Sequence, residues 1–107
     1  MKTLRFIVDN YTITKDPACD FSGLIQGKEN AVKAEFVFSA NWKGYRKAVA
    51  FYRLGKELPA RLLEDGRSCY IPAEALEKRT FWIEVVGKKK SSVIKTNRVQ
   101  VVQDASQ

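Results

Sequence analysis

The stretch Ala31–Leu54, AVKAEFVFSANWKGYRKAVAFYRL, decides the fold. In its first part Val32, Ala34, Phe36 and Phe38 fall on one face. Lys33, Glu35 and Ser39 fall on the other, with Val37 the exception. Alternation with a period of two over Ala31–Ser39 specifies a half-buried antiparallel strand. Asn41-Trp42-Lys43-Gly44 supplies turn chemistry. Tyr45–Leu54 then resumes as a strand, with Val49 and Phe51 opposite Ala48, Ala50 and Tyr52. A run apolar on both sides predicts a central strand.

The same grammar extends to both sides. Towards the N-terminus, Thr3–Val8 sets Leu4, Phe6 and Val8 against Thr3, Arg5 and Ile7. After a bend at Asp9-Asn10, Tyr11–Thr14 repeats it with Tyr11 and Ile13 on one face. Lys15–Gly27 is irregular, with Asp16-Pro17, Gly23 and Gly27, and its apolar Phe21, Leu24 and Ile25 are expected to tuck onto the core. Towards the C-terminus, Gly55-Lys56-Glu57 reads as a turn into an edge strand, Leu58–Leu63, where Pro59 fits only an edge or a bulge. Asp65-Gly66 is a hairpin signal leading back into Arg67–Ile71. Pro72–Lys78 is the one helical stretch, long enough for one or two turns. Arg79–Val86 places Phe81, Ile83 and Val85 on one face. Gly87–Ser92 reads as a hairpin tip, Ser92–Thr96 as its return, and Arg98–Gln103 as a last strand with Val99 and Val101 inward. Seven to nine short strands with turns at this spacing predict an all-β, immunoglobulin-like antiparallel sandwich with a short helical turn near 72–78; a small OB-like barrel is the alternative. One domain over residues 1–103 and a frayed tail at 104–107 complete the expectation.

The composition narrows the chemistry. The chain has 107 residues, no His, two Cys and a net charge of +7. Without His there is no Ser-His, Cys-His or HExxH constellation, so the commonest general base and metal ligand are missing. Cys19 and Cys69 stand too far apart for a zinc knuckle or a CxxC pair. They read as a long-range bridge or, in a reducing compartment, as two half-buried thiols. Glu74 and Glu77, three apart on the helical stretch, read as helix solubility rather than an acid–base pair. The N-terminus MKTLRFIVDN has no apolar h-region, and Ala48–Tyr52 is the longest apolar run, so neither a signal peptide nor a membrane span is expected. No cofactor, metal or small-molecule substrate is expected either.

The charge is spread, +4 in residues 1–54 and +3 in 55–107, with one dense run at Lys88-Lys89-Lys90. Trp42, Tyr45, Arg46, Tyr52 and Arg53 interleave aromatic and basic side chains, and Trp82 lies further on. A single-strand nucleic-acid platform mixes the two in this way. The plain structural reading puts Trp42 at the rim of the sandwich and Tyr52 in its core. Trp42, Tyr45, Arg46, Lys88, Lys89 and Lys90 together form the candidate interaction surface.

Three blocks in order, EFVFSANWKGYRKAVAF (Glu35–Phe51), SCYIPAEAL (Ser68–Leu76) and FWIEVVGKKKSSVIKTNRVQVV (Phe81–Val102), give the chain a resemblance to a known family. They resemble a small immunoglobulin-like domain of tail, baseplate and head-fibre proteins from phages and prophages of Gram-positive bacteria. The resemblance rests on Phe36, Phe38, Ser39, Trp42, Gly44, Phe51, Cys69, Ile71, Pro72, Glu74, Leu76, Gly87, Thr96, Asn97, Val99 and Val101. It implies a non-enzymatic virion-associated protein, located in the virion or the host cytoplasm. Its partners would be other virion proteins or copies of itself, docked by a face or by the edge strands Thr3–Val8 and Leu58–Leu63. The rival expectations are a single-stranded nucleic-acid-binding domain and a carbohydrate-binding module stacking sugars on Trp42, Tyr45 or Trp82.

Overall fold

The computed structural model describes residues 2–21, 31–77 and 80–102. Leu24, Ile25, Lys78, Arg79, Gln103 and the expected tail at 104–107 lie outside the described residues. Nine strands form: β1 (Lys2–Asp9), β2 (Thr12–Lys15), β3 (Val32–Phe38), β4 (Arg46–Arg53), β5 (Lys56–Leu62), β6 (Ser68–Tyr70), β7 (Thr80–Lys89), β8 (Ser92–Lys95) and β9 (Val99–Val102). They build a four-stranded sheet ordered β2-β1-β3-β6 and a second sheet ordered β5-β4-β7-β8, with β9 also on β7. The two sheets pack as the expected sandwich and do not close into a barrel. The core is the inward set of both: Leu4, Phe6, Val8, Val32, Ala34 and Phe36 from one sheet, Val49, Phe51, Phe81, Ile83, Val85 and Val101 from the other. Period two is what places them there, because successive side chains of a strand point to opposite faces.

Pairing departs from the expected antiparallel order at one place. β1 and β3 run parallel over seven partnered residues, Lys2↔Val32 to Val8↔Phe38. A parallel pair needs a connection of a dozen residues or more, and the chain between Lys15 and Val32 supplies it. This pairing puts β1 between β2 and β3, so Thr3–Val8 is an interior strand and not a docking edge. On its outer face Arg5 Nε donates to Glu35 Oε1 at 3.0 Å, between register partners, and the carboxylate raises the guanidinium pKa.

Some turns also differ from expectation. Asp65-Gly66 does not close a hairpin, since β5 belongs to one sheet and β6 to the other. Instead the Asp65 carboxylate accepts from the Arg67 and Ser68 amides, at 2.9 and 2.7 Å, and from the Ser68 hydroxyl. Those bonds hold its pKa down at about 2 and fix the crossing between sheets. The short helical turn expected near 72–78 is present as a 3-10 turn, Ala75–Glu77, packed by buried Ala75 and Leu76. Arg53 ties it to β4 through the Glu74 carbonyl and the Glu77 carboxylate, 2.7 and 2.8 Å. Gly87 lies inside β7, and the tip is Lys90-Ser91 alone.

The expected edge at β5 is present, and Pro59 sits where the β4–β5 register shifts, between Val49 and Phe51. That is where a strand tolerates a residue without an N–H. The β4–β5 turn is Leu54-Gly55, not Gly55–Glu57. Both residues have positive φ, 53° and 75°, as a type I′ turn requires.

Two substitutions should move stability in opposite directions. A Cβ on Gly87 would lie 2.8 Å from the Trp42 ring and 3.3 Å from Ile94, contacts a rigid indole cannot relieve. Gly87→Ala should therefore cost about 1–3 kcal/mol, a fall in Tm of roughly 5–15 °C by calorimetry. Leu54, 81% exposed, holds a left-handed conformation that costs an ordinary residue about 1–2 kcal/mol. Leu54→Asn should raise Tm by a few degrees, since Asn tolerates positive φ.

Candidate functional surface

The six residues singled out from the sequence fall into four environments. Trp42 is fully buried and is no part of a surface. A 3-10 turn, Ala40–Trp42, follows β3 and aims the indole inward. There its Nε1 donates to the Asn10 carbonyl, and its ring tilts against Phe38, centroids 5.4 Å apart. The absence of a side chain at Gly87 makes the room, a condition that sits 45 residues away in sequence and leaves no local mark.

Tyr45 and Lys89 meet at the end of the sandwich. The Lys89 ammonium lies 5.6 Å from the Tyr45 ring centre, and the Tyr45 hydroxyl is 3.1 Å from Ser92 Oγ. Tyr45 is thereby half-buried and covered by a cation. Lys90 occupies the β7–β8 tip with φ 55°. Only Arg46 and Lys88 share a face: they are register partners on β4 and β7, and both point outward. Of the three aromatic residues named for sugar stacking, Trp42 is buried and Tyr45 is half-buried under Lys89, while Trp82 faces out from β7 and is 37% exposed.

The outward face of the five-stranded sheet is a surface the sequence reading missed. Ala48, Ala50 and Tyr52 alternate with the core residues of β4, as do Trp82, Glu84, Val86 and Lys88 on β7. Their apolar character is also what a central strand would show. β4 is central; on this side Ala50, Tyr52 and Glu84 are buried among their neighbours, Ala48 and Val86 are half-buried, and Leu62, Trp82 and Lys88 are exposed. The informative signal was the outward apolar set itself. Seven large hydrophobic residues are exposed among the described ones. Five of them, Leu54, Leu62, Trp82, Val93 and Val102, belong to this sheet or its hairpins.

The face has two halves. In one, Tyr52 donates to Glu84 Oε1 at 2.8 Å, and the Arg98 guanidinium lies 3.6 Å from the Tyr52 ring centre. Burial, with Glu84 next, pushes the Tyr52 pKa up, so the phenol stays a donor at neutral pH. Arg98 covers the ring that a nucleobase would need for stacking. The other half is a notch of about 150 Å³ lined by Arg46, Ala48, Leu62, Val86 and Lys88.

The two thiols are free. Cys69 lies beside a shallow cleft with Lys33, Arg61, Leu62, Glu64, Ser68 and Tyr70. Burial pushes its pKa up to about 12, against the smaller opposing effect of Arg61. Cys19 Sγ accepts from the Arg5 amide at 3.3 Å. Among the described residues no group of three His, Cys, Asp or Glu side chains could hold a metal ion, and no helix is long and apolar enough to cross a membrane. No protein-family model, curated protein or solved structure matches the chain.

A thiol with so little thiolate is a poor nucleophile. At pH 8 Cys69 should react with iodoacetamide about a hundredfold more slowly than a free cysteine, allowing for the higher intrinsic reactivity of a basic thiolate. Peptide mapping after timed alkylation measures this; modification of Cys69 at the free-thiol rate would contradict the burial argument.

Proposed function

We propose that this chain is a non-enzymatic binding domain that acts by protein–protein contact, through the outward face of its five-stranded sheet. The observation that carries this reading is the concentration of exposed large hydrophobic side chains on that one sheet. Exposed large apolar side chains gathered on one sheet of a small domain mark an interaction site. Leu54 adds to it: a strained φ and 81% exposure at a hairpin tip cost stability in the free chain, which suits a residue kept for contact. The absence of His and the poor thiolate at Cys69 support a non-catalytic role.

The setting proposed is the phage or prophage particle, on the sequence resemblance given above. Ser39, Trp42, Gly44, Gly87 and Asn97, five of the residues that carry the resemblance, are joints of the scaffold in this fold. They build the scaffold, while the contact surface lies apart from them on the outer sheet face.

The test is incorporation. Particles released by the bacterium that carries the gene should contain the chain in fixed stoichiometry by mass spectrometry. Trp82→Gln should reduce its incorporation at least tenfold with little change in Tm, since Trp82 is 37% exposed and lies outside the core. A chain confined to the particle-free supernatant, or incorporation untouched by Trp82→Gln, would contradict the reading. Tight, salt-sensitive binding to oligo-dT with Trp82 at its centre would replace it by the nucleic-acid reading.

A further inference from the structure

The notch on the outward face has a chemistry of its own. Its floor is Ala48, Leu62 and Val86, which lie side by side because Ala48 is the register partner of both Leu62 on β5 and Val86 on β7. Its volume, about 150 Å³, is that of a cavity able to take a benzene-sized group. Around the floor stand three cations. Arg46 and Lys88 face each other across β4 and β7, and Lys95 is the partner of Val86 on β8. All three are exposed, and among the described residues none forms an ion pair. Val93, the partner of Lys88 and 56% exposed, extends the apolar surface on the β8 side. The nearby carboxylate of Glu64 lines the neighbouring cleft with Tyr45, Arg46 and Lys47 and is absent from the notch lining.

An apolar recess inside a ring of unpaired cations is complementary to one kind of surface: an apolar side chain flanked by carboxylates. Resting on the binding-domain reading, we propose that this notch receives an apolar side chain from an acidic segment of a partner protein, with carboxylates set against Arg46, Lys88 and Lys95. A second copy of this chain docked face to face would bring Arg46 and Lys88 against their own counterparts, so like charge opposes self-pairing here. An anionic membrane would satisfy the cations but engages protruding apolar side chains, whereas this site is concave. A nucleic acid would satisfy the cations and leave the aliphatic floor without a partner.

The test is an NMR titration of the full chain with two synthetic peptides. One is Asp-Glu-Asp-Leu-Phe-Asp-Glu-Asp; the other is the same peptide with Asn and Gln for Asp and Glu. The acidic peptide should shift the signals of Ala48, Leu62 and Val86 and bind at least tenfold more tightly than the neutral one. Its affinity should fall as salt is raised. Arg46→Glu with Lys88→Glu should abolish binding, while Lys43→Glu with Lys56→Glu, the same change in net charge placed elsewhere, should leave it within about twofold. Several results would overturn the proposal: no shift up to about 1 mM peptide, equal binding of the two peptides, shifts centred away from the notch, or equal loss in both double variants. Stronger shifts of the same signals by phosphatidylglycerol vesicles or oligo-dT would overturn it too. Failure at the notch with incorporation still dependent on Trp82 removes this proposal alone. Loss of incorporation dependence with intact notch binding removes the broader particle reading alone.

Discussion

The indole of Trp42 rests on the bare backbone of Gly87, and one end of the sandwich is organised around that contact. The ring is buried just past β3, against Phe38 and the backbone of Gly87. Its Nε1 reaches the Asn10 carbonyl in the β1–β2 turn, and Ser39, one turn earlier, accepts from the Asn10 amide at 2.8 Å. A single segment, Ser39–Trp42, thus holds the turn of one sheet while its aromatic ring is seated on the other. At the β2 edge Asn97 does a related job. Its side-chain amide accepts from the Ile13 N–H and donates to the Ile13 carbonyl, at 2.8 and 3.3 Å, as a neighbouring strand would. Thr96, buried beside it, accepts from the Val85 amide at 3.1 Å. Asn97 thus satisfies both backbone groups of Ile13 on the β2 edge, and Thr96 bonds β7 between its β8 and β9 partners.

How much of this was legible in the sequence depends on the range of the interaction. Short-range alternation identified the inward residues of β1, β3, β4, β7 and β9, because a strand's geometry forces it. Pro59 marked its edge for an equally local reason, the missing N–H. The parallel β1–β3 pair was not legible, since alternation reads the same in either direction. The Asp65-Gly66 turn was misread as a hairpin because its chemistry serves a crossing between sheets as well as a return within one. Trp42 illustrates the deeper difficulty. Among Lys43, Tyr45, Arg46 and Lys47 it resembled a surface aromatic, and the residue that buries it is a glycine far along the chain.

The candidate surface is likewise a product of strand pairing. Of Trp42, Tyr45, Arg46, Lys88, Lys89 and Lys90, only Arg46 and Lys88 ended on one face, brought together by β4–β7 pairing that sequence proximity does not reveal. The apolar outward residues of β4 had been absorbed into the idea of a central strand. In a two-layer sandwich a strand central in its sheet still presents one side to solvent. An apolar set on that side is then a property of the surface. The scaffold and the surface are separable parts of this molecule: Trp42, Gly87, Asn97 and the core hold the shape, and the outer sheet face carries the exposed apolar and basic side chains.

That separation assigns opposite roles to the chain's two tryptophans, and hydrogen exchange at their indole N–H groups measures it most directly. Trp42, sealed in the core and bonded to Asn10, should exchange only with global unfolding, as slowly as the most protected core amides. Trp82, on the outward face, should exchange orders of magnitude faster under the same conditions. A Trp42 indole that exchanges as fast as that of Trp82 would contradict the account.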